Sequence, residues 1–345
     1  MRYNREMTFL SLKKRKTFIA LAFAGIAALL FVFFWNLTPI QGSSHITITI
    51  VDSLVAYSSI AIGADGNPVI AYHYDVGDDL RVAKCGNPSC TSSTITTADA
   101  ANVGFPTSIA IGADGNPVIA YYDYLTTKLK VAKCGNPSCS AGNTITNVDT
   151  TGFTINSSIV IGTDGNPVIS YHDSAGDKLK VAKCGNPSCT SATLTVVDSG
   201  GVFSSIAIGT DGNPVVSYYH STSGNFKVAK CGNPSCTSAT LTVVDGGNQP
   251  SIAVGTDGNP VIAYVWDFDG SIKVAKCGNP SCTSATLTVV DVGLYSQPSI
   301  AVGTDGNPVI AYRDVAGDKL KVAKCSTPDC APPPPTTVSG NVWVD

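Results

Sequence analysis

The pentapeptide Asp-Gly-Asn-Pro-Val occurs six times, beginning at Asp65, Asp114, Asp164, Asp211, Asp257 and Asp305, with spacings of 49, 50, 47, 46 and 48 residues. A chain with this regularity is built from six equivalent units that follow one another without linkers. One unit, read from Ser158, runs SIVIGTDGNPVISYHDSAGDKLKVAKCGNPSCTSATLTVVD. Its apolar residues alternate with a period of 2, and no stretch carries the 3.6-residue spacing of a helix face. The pieces SIVI, PVISY, LKVAK and ATLTVV read as four short strands, separated by TDGN, by HDSAGDK and by CGNPSC. Four strands in each unit predict the blade of a propeller. The expected fold is all-β, a six-bladed β-propeller of four-stranded antiparallel blades spanning residues 45–330. The Gly, Pro and Thr content of each unit excludes an α-solenoid, and a β-helix has shorter coils with no need for tight hairpins.

The two ends of the repeat array complement each other. Residues 45–52, HITITIVD, imitate a fourth strand but precede the first complete unit, whereas the sixth unit stops after its third strand and second Cys. Pro332 to Pro335 forbid an ordinary ladder strand there. Residues 46–52 are therefore expected to pair beside residues 319–325 and complete the last blade, since an open array would leave unpaired edges.

Outside the leader the chain is acidic: residues 45–330 hold 23 Asp against 14 Lys and 2 Arg. That balance disfavours a phosphate-backbone partner, so no nucleic acid is expected. Residues 1–44 read as an export signal or membrane anchor, with Lys13, Lys14, Arg15 and Lys16 preceding an uncharged apolar run from Thr17 to Trp35. At 19 residues the run can span a membrane, and a retained anchor is preferred to cleavage near Gly42-Ser43-Ser44. Either way the remainder is extracytoplasmic, secreted or held at the cell surface.

The units resemble those of secreted bacterial β-propeller proteins, whose blades run S-I-A followed by G-N-P-x-I-x-Y-x-D and L-K-x-A, over about residues 46–330. Such repeats are grouped with sialidase-like propellers. The sialidase Asp-box, S-x-D-x-G-x-x-W, is absent: in Gly162-Thr163-Asp164-Gly165-Asn166-Pro167 a Gly replaces the Ser and no Trp follows. The resemblance implies architecture and little about activity. Residues 331–345 read as a Pro-rich linker, and Thr337 to Asp345 resemble the opening strand of Cna B-type modules of bacterial surface proteins.

All 12 Cys fall into C-x4-C pairs: Cys85/Cys90, Cys134/Cys139, Cys184/Cys189, Cys231/Cys236, Cys277/Cys282 and Cys325/Cys330. In an exported chain this reads as six local disulfides, each bridging the two ends of the hairpin between the third and fourth strands. By loop entropy each contributes about 2 kcal/mol at most. Zinc is the weaker alternative, because two thiolates fill half a tetrahedron.

In a four-stranded meander the first and third hairpins share one end of the blade, and the second hairpin and the crossover share the other. The second face carries the segments that differ between copies. From it come the candidate binding residues Tyr74, Asp75, Asp123, Tyr124, His172, Asp173, His220, Trp266, Asp267, Arg313 and Asp314, with Phe105, Phe153, Phe203 and Tyr295 on the crossovers. Aromatic rings among Asp, His and Arg suit a glycan, and six related loops would bind it multivalently; loops that merely vary are the alternative. The Asp residues that close each fourth strand, Asp52, Asp99, Asp149, Asp198, Asp245 and Asp291, read as turn formers, with calcium a secondary reading and no other cofactor expected.

The only Glu is Glu6, in the leader. The propeller has only Arg81 and Arg313, too few for a sialidase arginine cluster, and no G-x-S-x-G elbow. Six similar loops also do not bring unlike residues to one point. The expectation is thus a monomeric, non-catalytic propeller that binds a glycan or a surface protein, with no catalytic residues. The alternatives are a glycan-active hydrolase or lyase using rim Asp residues, and a structural module of a larger surface protein.

Overall fold

The computed structural model describes residues 49–100, 106–151 and 154–332. The expected export segment, Phe105, Phe153 and the Cna B-like tip lie outside them. Among the described residues no helix is long and apolar enough to cross a membrane. Every regular element is a strand. The first blade comprises Val55–Ile62, Pro68–Tyr74, Asp79–Cys85 and Ser93–Asp99, hydrogen-bonded in chain order as an antiparallel meander. The next four blades repeat this order, and the sixth comprises Tyr295–Val302, Pro308–Asp314 and Lys319–Lys324. The protein is a six-bladed β-propeller, as the repeat predicts.

Within each blade the two constant hairpins are tied together. The Gly of DGN takes φ near +79°, at Gly66 for example, a conformation open to Gly at no steric cost. The preceding Asp65 accepts the Asn67 backbone N–H at 3.1 Å. It also pairs with Lys84, beside Cys85, at 2.7 Å, and the same Lys–Asp pair recurs in all six blades.

All six expected disulfides form, Cys85–Cys90, Cys134–Cys139, Cys184–Cys189, Cys231–Cys236, Cys277–Cys282 and Cys325–Cys330, with Cα–Cα distances of 4.7 to 4.9 Å. No free Cys is left among the described residues. Each disulfide closes the loop after the third strand, as expected, with its second Cys inside that loop. The ladder partner of Cys85 is Ser93, and those of Cys184, Cys231 and Cys277 are Ala192, Ala239 and Ala285, so the fourth strand starts beyond the second Cys. Cys90, Cys139, Cys189, Cys236, Cys282 and Cys330 instead lie inside the loop, each with φ between 52° and 56°. The reason is a tight turn nested in the hairpin. The N–H of each second Cys donates to the carbonyl three residues earlier, as Cys90 does to Asn87 at 3.0 Å and Cys330 to Thr327 at 3.1 Å. The left-handed residue that closes this turn is the Cys itself, and its sulfur bonds back to the Cys at the end of the third strand.

The blades pack face to face. Val69, Ala71, Leu80 and Val82 of the first meet Ile109, Ile119, Tyr121 and Ala132 of the second, and equivalent clusters follow at the next four seams. A Ser hydroxyl on the first strand of each of the first five blades accepts the backbone N–H of the next blade's Ile, as Ser59 does from Ile109 at 3.2 Å.

The Asp at the end of the fourth strand crosses each seam between consecutive blades, and Asp52, which precedes the first blade, makes the same contacts. In each, Oδ2 accepts the hydroxyl of a Tyr on the second strand of the following blade: Tyr72 to Asp52, Tyr121 to Asp99, Tyr171 to Asp149, Tyr218 to Asp198, Tyr264 to Asp245 and Tyr312 to Asp291, at 2.6 to 2.9 Å. A third-strand cation, Arg81, Lys130, Lys180, Lys227, Lys273 or Lys321, lies 3.0 to 3.5 Å from the same oxygen. The turn reading also holds, because Oδ1 of Asp52, Asp149, Asp198 and Asp245 accepts a backbone N–H one or two residues further along the chain.

The seam between the sixth and first blades differs. Among the described residues the sixth sheet has three strands, and the expected pairing of 46–52 with 319–325 is not among its strand pairs. Residues 46–48 lie outside the described set, and 49–52 have no ladder partner. Their side chains engage the first blade instead: Thr49 donates to the Ser89 carbonyl at 3.0 Å, as Thr146 does to that of Ser188, and Asp52 holds Tyr72. Leu320 and Val322 are 78% and 63% exposed, whereas their counterparts Leu80 and Val82 are buried; Ile60 is 61% exposed.

Burial by itself would raise the carboxyls of Asp52, Asp149, Asp198 and Asp291. Hydrogen bonds from the Tyr and the cation, joined in the first three by one from the backbone, outweigh it and hold all four below the ordinary value. Burial first, then the adjacent carboxylate, raises the hydroxyls of Tyr72, Tyr121, Tyr171, Tyr218 and Tyr264 and pushes Tyr312 up to about 12. Lowered carboxyls contribute stability that is present above about pH 4 and lost as pH falls through the folded values. Raised hydroxyls contribute stability that is present below about pH 10 and lost as pH rises. Urea unfolding should therefore show a plateau between about pH 5 and 9 with decline on both sides. At pH 7, Asp149→Ala should cost about 3 kcal/mol, because Tyr171 is left buried without its acceptor and Lys180 loses a carboxylate. An Asp149→Ala protein as stable as the parent would remove the clamp as a source of stability.

Candidate functional site

The first strands line the propeller axis, and five of them are interrupted. Their ladders slip at Ala56/Ser59, at the step opposite Ser170/His172, and at Val202/Ser205, Asn248/Ser251 and Ser296/Ser299. An extra residue in one strand produces such a slip. At each slip one residue has positive φ: Tyr57, Asn156, Phe203, Gln249 and Gln297, all between 50° and 55°. Bulky residues rarely adopt this conformation, and strain of this kind collects at functional sites. In the second blade Pro106, whose φ is fixed by its ring, holds the equivalent place.

These residues and the Ser, Thr and Pro positions beside them enclose an axial cavity of about 410 Å³, lined from all six blades. Tyr57 and Phe203 present aromatic surface; Asn156, Gln249 and Gln297 present amides. The Gln249 Oε1 accepts the Gln297 backbone N–H at 2.6 Å, which fixes one amide at the wall. The repeats thus diverge at the place where all six meet, as well as on the rim. Of this site sequence reading found only Phe203. Its signal is the residue two places before the Ser of the S-I strand start, which changes from Tyr to Pro, Asn, Phe, Gln and Gln along the chain.

The candidate residues of the rim stand where expected, at the ends of second strands and in the hairpins that follow. Five of the eleven hold the seam cations. Asp123 pairs with Lys130 at 2.6 Å, Asp173 with Lys180 at 2.7 Å and Asp314 with Lys321 at 3.6 Å. Tyr74 stacks under Arg81, and Trp266 under Lys273, with each cation 3.3 Å from the ring centroid. Asp75 faces His73 Nδ1 at 3.2 Å, Asp267 accepts from the Asn248 amide, and Arg313 pairs with Asp318 at 2.9 Å. Tyr124 is exposed and meets Tyr122 edge-on. Tyr295 is buried against Tyr312.

The seam of the third and fourth blades brings two candidates into one cluster. His172 Nε2 lies 3.0 Å from Asp177 Oδ1, and Asp177 Oδ2 accepts the Ser221 hydroxyl at 3.1 Å. His172 Nδ1 is buried without a hydrogen-bond partner. His220 Nδ1 lies 2.9 Å from the Ser223 hydroxyl, and its Nε2 faces Asp198 at 3.9 Å. Among the described residues no three His, Cys, Asp or Glu side chains come together as a metal site.

The fold and cavity define the class: a disulfide-bonded six-bladed propeller with an asymmetric axial pocket. No family model matches the sequence, and no curated protein matches it significantly. Among solved structures, a periplasmic gluconolactonase of Pseudomonas aeruginosa superposes with a TM-score of 0.55 at 14% identity, over 79% of this chain and 82% of its own. The GH93 α-L-arabinofuranosidase of Fusarium graminearum superposes with a TM-score of 0.51 at 11% identity, over 79% and 92%. At such identities the likeness is one of fold. Both of these similarly folded proteins are enzymes by name, which runs against the expectation of a non-catalytic binder. The premise of that expectation fails too: unlike residues do converge, at the axis.

If the positive-φ residues are kept for what they present to the cavity, replacing one with Gly should cost little stability. Relief of about 1 kcal/mol of strain should offset the lost contacts of Phe203 in Phe203→Gly, whereas Phe226→Gly in the core should cost about 3 kcal/mol or more. Thermal unfolding of both variants measures the contrast, and equal losses would contradict it.

Proposed function

We propose that this chain is a glycan-active hydrolase, exported and working as a monomer, whose sugar substrate enters the axial cavity. The observation that carries the reading is the broken symmetry of that cavity. Aromatic faces beside amide donors and acceptors suit a pyranose or furanose ring, which stacks its C–H face and hydrogen-bonds its hydroxyls. The volume lies within the range of small-ligand sites. The names of the two propellers above, a gluconolactonase and an arabinofuranosidase, point to the same class of substrate. Six disulfides fit an oxidising compartment, with residues 17–35 as export signal or anchor.

The test uses disulfide-intact protein with a panel of aryl glycosides, including α-L-arabinofuranosides, and of aldonolactones. Turnover of at least one is expected, falling about tenfold or more in Phe203→Ala and Asn156→Ala with melting temperature retained, a loss of about 1.4 kcal/mol of transition-state stabilisation. Absence of turnover across the panel would remove the reading.

A further inference from the structure

We infer that Ser223 is a nucleophile activated by His220, and that the bond broken is a carboxylic ester or lactone of a sugar rather than a glycosidic bond. The choice of a sugar rests on the hydrolase reading; the nucleophile rests on the blade itself.

In five blades the residue ending the second strand engages the seam cation, through a carboxylate at Asp123, Asp173 and Asp314 or an aromatic face at Tyr74 and Trp266. The fourth blade places His220 there. An imidazole adds nothing to a cation clamp, and Lys227 makes its ion pair with Asp198 alone, at 3.0 Å. His220 is buried, and its Nδ1 accepts the Ser223 backbone N–H at 3.1 Å. That bond puts the ring proton on Nε2, toward Asp198 Oδ2 at 3.9 Å, and leaves Nδ1 as the basic nitrogen beside the Ser223 hydroxyl at 2.9 Å. A cap that takes both the backbone N–H and the hydroxyl of one residue also occurs at Asp149 with Thr151, both at 2.8 Å, so what sets the fourth blade apart is that the acceptor is an imidazole. That imidazole and the carboxylate facing it place a base and an orienting acid beside a hydroxyl nucleophile, the set that acyl transfer uses.

Ser223 is exposed in its hairpin, so a bound ester can reach Oγ. His220 is the ladder partner of Gly201, two residues before Phe203, so one blade carries both the proposed nucleophile and an aromatic wall of the cavity.

Attack by Oγ on the carbonyl carbon forms the new C–O bond as the hydroxyl proton passes to Nδ1. The imidazolium faces Asp198, whose negative charge stabilises it. The ester C–O bond then breaks, and the departing alkoxide takes the proton from Nδ1; in a lactone that alkoxide remains on the same molecule. Water attacks the acyl-serine by the same path, giving its proton to Nδ1, and Ser223 departs with it. No oxidant or further reactant is required.

The test is labelling of the native, disulfide-intact protein with a fluorophosphonate, located by peptide mass spectrometry, alongside turnover of aldonolactones and acetylated sugars. Labelling at Ser223 is expected, absent in Ser223→Ala, slowed about 100-fold in His220→Gln, whose amide oxygen can still cap the turn, and unchanged in Ser221→Ala. Folded protein that is not modified at Ser223, or is modified equally fast in His220→Gln, overturns the inference. Glycoside cleavage that persists in Ser223→Ala overturns it while leaving the hydrolase reading intact. Labelled Ser223 with no sugar substrate turned over upholds the nucleophile and sinks the sugar reading.

Discussion

The structure depends on one polar contact repeated at the five seams between consecutive blades: a buried Tyr hydroxyl donating to the Asp that ends the preceding fourth strand, with a cation against the same oxygen. Apolar packing between blades is indifferent to small sliding movements, because Val, Ile and Ala faces lose little contact when they shift. A short hydrogen bond to a carboxylate is not. Each clamp therefore sets the angle between neighbouring blades, and the axial cavity inherits its shape from the set. The cation is held in different ways around the ring, by a carboxylate in some blades and by an aromatic face in others. Conservation of the task and not of the residue explains why the rim looks variable in sequence.

Much of the fold was legible because its signals are local. The DGNPV turn, the period-2 alternation and the C-x4-C pairing each act within a few residues, and each forms as read. The seat of the second Cys was not, because spacing alone does not show that Cys90 closes a turn of its own, short of the fourth strand. What else escaped depends on contacts between units. Asp149 carries no local mark that distinguishes a turn former from a seam acceptor; the difference lies in Tyr171, 22 residues away. The rim residues Asp123 and Asp173 resembled ligand-binding groups for the same reason, since Lys130 and Lys180 reach them from the next strand. The first strands also begin earlier than their apolar cores suggest, and the bulges lie in that extension.

The functional reading changed because symmetry operates differently at the rim and at the axis. Six related hairpins spread over a wide face remain similar neighbours. The same sixfold arrangement forces one position from each blade into a single small volume, where Tyr57, Asn156, Phe203 and two Gln residues meet. A repeat protein can thus build an asymmetric pocket by altering one position per unit while the clamps and turns stay constant. The departure at His220 belongs to the same pattern of change confined to one copy.

The six cysteine pairs are each five residues apart and each lies within a single hairpin. No disulfide among the described residues joins one blade to another, so oxidation leaves their mutual arrangement to noncovalent forces. Each thiol finds its partner within its own hairpin, so pairing in one unit does not wait for any other unit to fold. A chain with twelve nearly interchangeable cysteines is thereby spared a search among wrong connectivities, and its maturation has little need of an isomerase.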